Sequence, residues 1–222
     1  MSKHPITIIA IDGGAATGKS STSCAIAKKL EFLHVDTGAH YRTVTFALNQ
    51  AGISPKDLDA VTEGLETLNL GTSVKGQQAF LAINGDKPND SEIRSPGVNG
   101  VVAYFAAIPS VRKFLFEYQR GQVKVAQKQG FKGLVMEGRD IGSVIFPDAP
   151  FRFYLHADAK TRSLRRKKQG QEDAIRQRDA IDTSRKEAPL KCPDGATVVD
   201  TSEHTLEQVI ALLLQIIRSN ND

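Results

Sequence analysis

The chain has 222 residues with 29 Lys and Arg against 25 Asp and Glu, a formal charge of +4 with neutral histidines. At 40% hydrophobic and 24% charged residues it has the composition of a globular protein with a sizeable core, not of a disordered chain. Its longest apolar run, residues 101–108, is far short of the roughly 20 residues a membrane helix needs.

Residues 6–11 are rich in Ile and lack a polar face, which predicts a strand buried on both sides, as in a parallel sheet. A helix is expected over residues 20–30, with Cys24, Ala27 and Leu30 on one face. A strand over 32–35 then ends at Asp36, and a helix over 41–50 stops at Gly52. That alternation opens a doubly wound α/β fold. Residues 68–74 and 78–83 are two β-like runs around Lys75-Gly76, a small antiparallel excursion. Residues 98–108 and 111–129 read as helices divided at Pro109. Short buried strands return at 134–136 and 151–155. Residues 161–185 are polar, basic and helical in pieces. A last strand at 197–199 precedes a helix over 205–217, where Thr205 and Gln208 fit a capping box.

The first residues reach Asp12 and Gly13 before any apolar stretch long enough for an export signal. The two cysteines, Cys24 and Cys192, allow at most one disulfide and form no zinc pattern. Both point to a reducing, cytoplasmic setting.

Gly13, Gly14, Ala15, Ala16, Thr17, Gly18, Lys19 and Ser20 fit G-x-x-x-x-G-K-[ST], between a predicted strand and a predicted helix, with Ser21 next. Backbone amides in such a loop surround a phosphate at a helix N-terminus. Lys19 adds a charge for the β- and γ-phosphates, and the Ser20 hydroxyl is placed for Mg²⁺. A GTPase would also need N-K-x-D and D-x-x-G, and the chain has neither.

Two further constellations sit at predicted strand ends, where open α/β sheets bind ligands. Asp36, Thr37, Tyr41 and Arg42 follow the second strand and suit a phosphorylated small molecule; alternatively Asp36 or Thr37 only caps a helix. Glu137, Arg139 and Asp140 follow the third; Glu137 is placed to orient Mg²⁺ or its water shell, and Arg139 and Asp140 could simply pair with each other. Arg178, Asp182 and Arg185 share one helical face, either a ligand cluster or a solvated salt-bridge face.

Taken together these residues resemble the bacterial cytidylate kinases. The phosphate loop, D-[ST]-G-A-x-Y-R at 36–42, E-I-R at 92–94, the run over 137–149 and R-D-x-x-D-x-x-R at 178–185 occur in that family's order and span nearly the whole chain. The resemblance implies a P-loop NTPase three-layer α/β fold with a central parallel sheet. Within one domain, residues 1–222, it implies a small antiparallel nucleoside monophosphate-binding insertion near 55–110 and a short lid near 160–180. It implies transfer of the ATP γ-phosphoryl group to CMP or dCMP, with Mg²⁺, by a monomer that binds neither nucleic acid nor membrane. By the same resemblance Arg42, Arg139 and Arg185 clamp the CMP phosphate. Arg112 and Asp140 read cytosine, Arg178 and Asp182 contact the sugar, and Arg162 and Arg166 belong to the lid beside catalytic Lys19.

Base reading also has a physical warrant. Cytosine offers an amino donor at N4 and acceptors at N3 and O2, which a carboxylate and an arginine complement. Uracil presents an acceptor where Asp140 expects a donor. The chain departs from the family at Ala103, where a serine is common, at Thr37 for serine and at Gly14 for proline; the stretch between Arg166 and Arg178 is also short. Rival readings are a kinase for UMP or dTMP, or a non-enzymatic P-loop protein that binds nucleotide or nucleic acid. Charge bears on the last: residues 152–191 hold twelve Lys or Arg and six acids, +6 locally, leaving −2 elsewhere. Asp179 and Asp182 inside that stretch argue against a polyanion groove.

Overall fold

The computed structural model describes residues 6–168 and 175–219, and the side chains of residues 168 and 175–178 fall outside that description. In chain order the elements are β1 (Thr7–Gly13), α1 (Lys19–Leu30), β2 (Leu33–Asp36), α2 (Thr37–Gln50), α3 (Leu58–Glu66), β3 (Leu70–Lys75) and β4 (Gln78–Ile83). Then come α4 (Asp90–Ile93), α5 (Pro96–Ala106), α6 (Pro109–Lys128), β5 (Gly133–Gly138), a π-helical turn (Ile141–Ile145) and β6 (Phe151–His156). The chain continues through α7 (Ala159–Lys168), α8 (Ile175–Ser184), β7 (Thr197–Asp200) and α9 (Leu206–Ser219).

The seven strands form one sheet in the order β3-β4-β2-β5-β1-β6-β7. Every pairing is parallel except that of β3 with β4. The antiparallel pair foreseen around Lys75-Gly76 is present, but it does not stand apart from the sheet. β4 pairs with β2 through His34 and Val35, so the hairpin extends the central sheet at one edge. β1 and β5 are buried on both faces, which explains their lack of a polar alternation.

Alternate residues of the strands feed two different cores. Ile9, Ile11, Val135 and Phe153 pack with Ile26 of α1 and Leu213 of α9 on one side. Ala10, Leu33, Val35 and Met136 face the other side with Ala126 of α6. A third cluster joins Val44 and Leu48 of α2 to Phe105 of α5 and Leu115 of α6. Burying one such side chain contributes about 1.5–3 kcal/mol. Helices therefore cover both faces, giving three layers.

Several boundaries differ from expectation for local reasons. α2 starts at Thr37 because the Asp36 carboxylate accepts from the Ala39 N–H at 3.0 Å. α3 is an element the pattern does not announce: it is nine residues long and buries only Val61 and Leu65. On α1 the buried residues are Lys19, Thr22, Ser23, Ile26 and Ala27; Leu30 is half-buried against the same core as Ala27, while Cys24 is half-buried away from that cluster. The capping box of α9 is formed, with Thr205 N–H to Gln208 Oε1 at 2.8 Å and Gln208 N–H to Thr205 Oγ1 at 3.3 Å.

Candidate active site

The carboxyl ends of β1, β2 and β5 lie side by side, with Asp36 opposite Glu137 and Asp12 opposite Gly138. The phosphate loop leaves β1 at Gly13. A Cβ there would come within 2.0 Å of the Leu155 carbonyl oxygen, so the close approach of β6 admits only glycine. Gly18 caps α1 with φ of 90°, a left-handed conformation that favours glycine. Inside the loop, Thr17 Oγ1 donates to the Gly14 carbonyl at 3.1 Å and Lys19 Nζ donates to the same carbonyl at 2.8 Å. Lys19 is buried. Burial, aided by the Arg139 charge, pulls its pKa down to about 7.

A chain of polar contacts runs under the loop. Ser20 Oγ donates to Glu137 Oε2 at 2.8 Å. Glu137 Oε1 lies 3.2 Å from His34 Nε2, which lies 3.2 Å from Ser23 Oγ. Thr37 Oγ1 donates to the Glu137 carbonyl at 2.8 Å. Asp12, at the end of β1, accepts from the Ile141 and Gly142 amides at 2.8 and 2.7 Å and so holds the π-helical turn. Burial outweighs those two bonds and raises the Asp12 pKa to about 6.

A cleft of about 160 Å³ opens beside the loop. Ala15, Ala16, Lys19, Ser20, Asp36, Thr37, Tyr41 and Arg42 line it, with Glu137, Arg139, Asp140, Arg166, Asp182 and Arg185. Residues from five separated segments are thereby brought together. Arg42 is fixed by the Ile93 carbonyl at 3.2 Å and by Asn99 Oδ1 at 2.6 Å. Arg94 reaches Asp36 at 3.3 Å. Asp140 accepts from Arg112 and lies 3.6 Å from Arg185. Burial holds the Asp140 carboxyl above the usual carboxylate range against both guanidinium groups. Arg112 does not line the cleft itself; it stands behind Asp140, 5.5 Å from the Tyr41 ring centroid.

Two of the simpler readings fail. Arg139 and Asp140 do not pair with each other: Arg139 Nε donates to Asp182 Oδ2 at 2.9 Å, and Asp140 turns to Arg112 and Arg185. The α8 cluster is no solvated face either, because Asp182 and Arg185 are both buried. The Arg178 side chain lies outside the described residues. Gly13, Gly14, Thr17, Gly18 and Ser21 shape the loop without lining the cleft, and Arg162 is paired with Asp179 at the loop's edge.

Sequence reasoning misses several contributors. Asn99 and His34 lie in no motif. Asp12 reads as the end of a strand, and Asp179 lies inside the R-D-x-x-D-x-x-R run at 178–185 without a role assigned to it. Arg94 lies in the E-I-R segment, which is the one signal that could have found it.

A phosphate loop at the carboxyl end of a parallel sheet, facing an arginine-lined cleft, defines the class: a P-loop α/β phosphotransferase. Comparison with known proteins narrows it. A sequence model described as cytidylate kinase matches residues 9–219. The chain is 38% identical to the cytidylate kinase of Caldanaerobacter subterraneus subsp. tengcongensis, covering 96% of this chain and 95% of that one. It is 39% identical to the Mycobacterium avium cytidylate kinase, covering 97% and 96%. For the Carboxydothermus hydrogenoformans cytidylate kinase the identity is 36%, over 96% and 98%. The chain belongs to the cytidylate kinase family.

Proposed function

We propose that the protein transfers the γ-phosphoryl group of ATP to CMP or dCMP, giving ADP and CDP or dCDP. The observation that carries this is the buried Arg112–Asp140–Arg185 cluster, whose Asp140 and Arg185 line the same cleft as the phosphate-loop lysine. A carboxylate held between guanidinium groups complements the N4 donor and the N3 and O2 acceptors of cytosine. Uracil would set an acceptor against Asp140, and a site built on hydrogen bonds rejects such a mismatch by factors on the order of 10⁴. Ala103 lines the cleft without the hydroxyl that the family's common serine would supply. One neutral hydrogen bond is worth only about 0.5–1.5 kcal/mol, so the charged contacts carry the discrimination.

Residues 13–21 bind the ATP phosphates. Arg42, Arg139 and Arg185 hold the CMP phosphate beside Asp36, Thr37 and Tyr41, while Arg178 and Asp182 hold the sugar. Ser20 and Glu137 fit Mg²⁺: a hydroxyl and a carboxylate 2.8 Å apart are hard oxygen donors, and Mg²⁺ takes one or two protein oxygens together with phosphate. When bound there, the ion would supply charge neutralisation for the donor phosphates. Lys19, Arg162 and Arg166 spread the charge of the transferred group. The CMP phosphate is already ionised, so no strong general base is needed.

The reading treats residues 1–222 as one domain, with an acceptor-binding insertion near 55–110 and a lid near 160–180; residues 169–174 of that lid lie outside the described residues. It places the protein in the cytoplasm as a monomer acting on small nucleotides rather than on nucleic acid or membrane. No helix among the described residues is long and apolar enough to cross a membrane. Coupled ATP turnover with CMP, dCMP, UMP and dTMP in parallel tests the proposal. Turnover with CMP or dCMP is expected to dominate, and faster turnover of UMP or dTMP would overturn it.

A further inference from the structure

One contact ties the phosphate loop to the R-D-x-x-D-x-x-R run at 178–185. The Ala15 amide donates to Asp179 Oδ1 at 3.1 Å. The other oxygen of that carboxylate is paired with Arg162, whose guanidinium also donates to the Ala15 carbonyl at 3.4 Å. A carboxylate thus sits on a backbone amide of a loop that is chemically suited to phosphate. It also neutralises an arginine assigned to the ATP phosphates. With side chains 18% and 16% exposed, Arg162 and Asp179 are not a solvated surface pair.

Gly14 gives the pair its room. A Cβ at that position would lie 3.2 Å from both Arg162 Nη1 and Asp179 Oδ2, tighter than an ordinary contact. Gly14 is not among the residues with positive φ, so its backbone does not demand glycine. The space above it is what a larger residue would fill. Asp179 also shares α8 with Asp182, and Arg185 follows directly on its end; these two contact Arg139 and Asp140 on the acceptor side. One helix therefore touches both halves of the cleft.

We propose that Asp179 is a built-in phosphate mimic, competing with the donor nucleotide for the Ala15 amide and for Arg162 and so setting donor affinity. Nucleotide binding displaces it, and wild-type affinity is lower than the loop alone would give. This rests on reading residues 13–20 as the donor-phosphate loop.

The test is calorimetric titration of the full chain with Mg²⁺ and a non-hydrolysable ATP analogue, without acceptor and at fixed ionic strength. Asp179→Ala removes both charge-assisted contacts and is expected to bind the analogue roughly tenfold tighter. Asp179→Asn, which keeps the shape and loses the charge, is expected to bind tighter by a smaller factor. It serves as the deciding variant if the alanine form does not melt cooperatively. A merely structural role for Asp179 would weaken or leave unchanged the affinity of a folded variant, and that result overturns the proposal. Lys19→Ala is the control. It is expected to abolish analogue binding, and binding at the wild-type level would overturn the loop assignment itself, not only the competition.

Discussion

Asp140 is the residue whose replacement separates base reading from simple scaffolding. Its side chain is 5% exposed and lies between Arg112 at 8% and Arg185 at 4%. Asp140→Asn keeps the shape and removes the charge, leaving two buried guanidinium groups facing one amide. Burial, and then the Arg112 charge, already hold the Arg185 pKa below its ordinary value. Removing one partner of a buried pair costs about 3–5 kcal/mol. At about 2–4 °C per kcal/mol for a chain of this size, Tm should fall by on the order of 10 °C. The catalytic signature is different in kind. The amide now offers a donor where cytosine has its own amino group, so kcat/KM for CMP should fall by roughly 10², while the uracil O4 gains a partner and UMP loses far less. Thermal unfolding and coupled turnover with both acceptors, below Tm, read the two effects separately. An equal loss for CMP and UMP would refute base reading by Asp140, and an unchanged Tm would refute the buried network as a stabilising unit.

Lys19→Ala should lower phosphoryl transfer by orders of magnitude with the fold intact by circular dichroism; undiminished turnover would remove the loop from the mechanism. Asn99 accepts from Arg42 at 2.6 Å and donates to the Arg94 carbonyl at 2.7 Å. A hydrogen bond to a charged group is worth about 1.5–3 kcal/mol, so Asn99→Ala should raise KM for CMP about tenfold while KM for ATP stays put. Steady-state kinetics with each substrate varied in turn would show this. His40 is buried with its ring edge-on to Tyr118, and burial takes its pKa down to about 4 from 6.5. Its folded pKa is depressed, so the stability it lends is complete above pH 6.5 and is lost as pH falls toward 4. That loss is about 3 kcal/mol. His40→Leu should therefore flatten the acid limb of a denaturant-melt pH series, and an unchanged slope would contradict a buried, neutral ring.

What could be read directly from the chain was local chemistry. The phosphate loop needs glycine where β6 crowds Gly13 and where Gly18 turns left-handed, so its spacing survives as a motif. Strands buried on both faces lack a polar alternation, which made β1 and β5 visible. Choice of partner is a different matter. Arg139 pairs with a carboxylate 43 positions away and Arg112 with one 28 positions away. Adjacency suggested the wrong pair, because successive side chains leaving a strand point to opposite sides. α3 and the π-helical turn were also invisible. The turn is held by the distant Asp12, and α3 is short, with its own Asp57 cap and only Val61 and Leu65 buried.

The same distinction bears on the positive charge. Twelve basic residues in 152–191 look on paper like a surface for a polyanion. In the fold, Arg162 is matched by Asp179 and Arg185 by Asp140 and Asp182, while Arg165 donates to the Thr201 carbonyl at 2.5 Å. Arg166 and Arg185 line the cleft. A groove for nucleic acid needs cations spread along an exposed track, with phosphates replacing their counterions. Here Arg166 and Arg185 line one cleft, and carboxylates already stand at Arg162 and Arg185. Such an arrangement suits the concentrated charge of two small phosphorylated molecules, because only a ligand with several negative charges in a small volume can exchange with those carboxylates together.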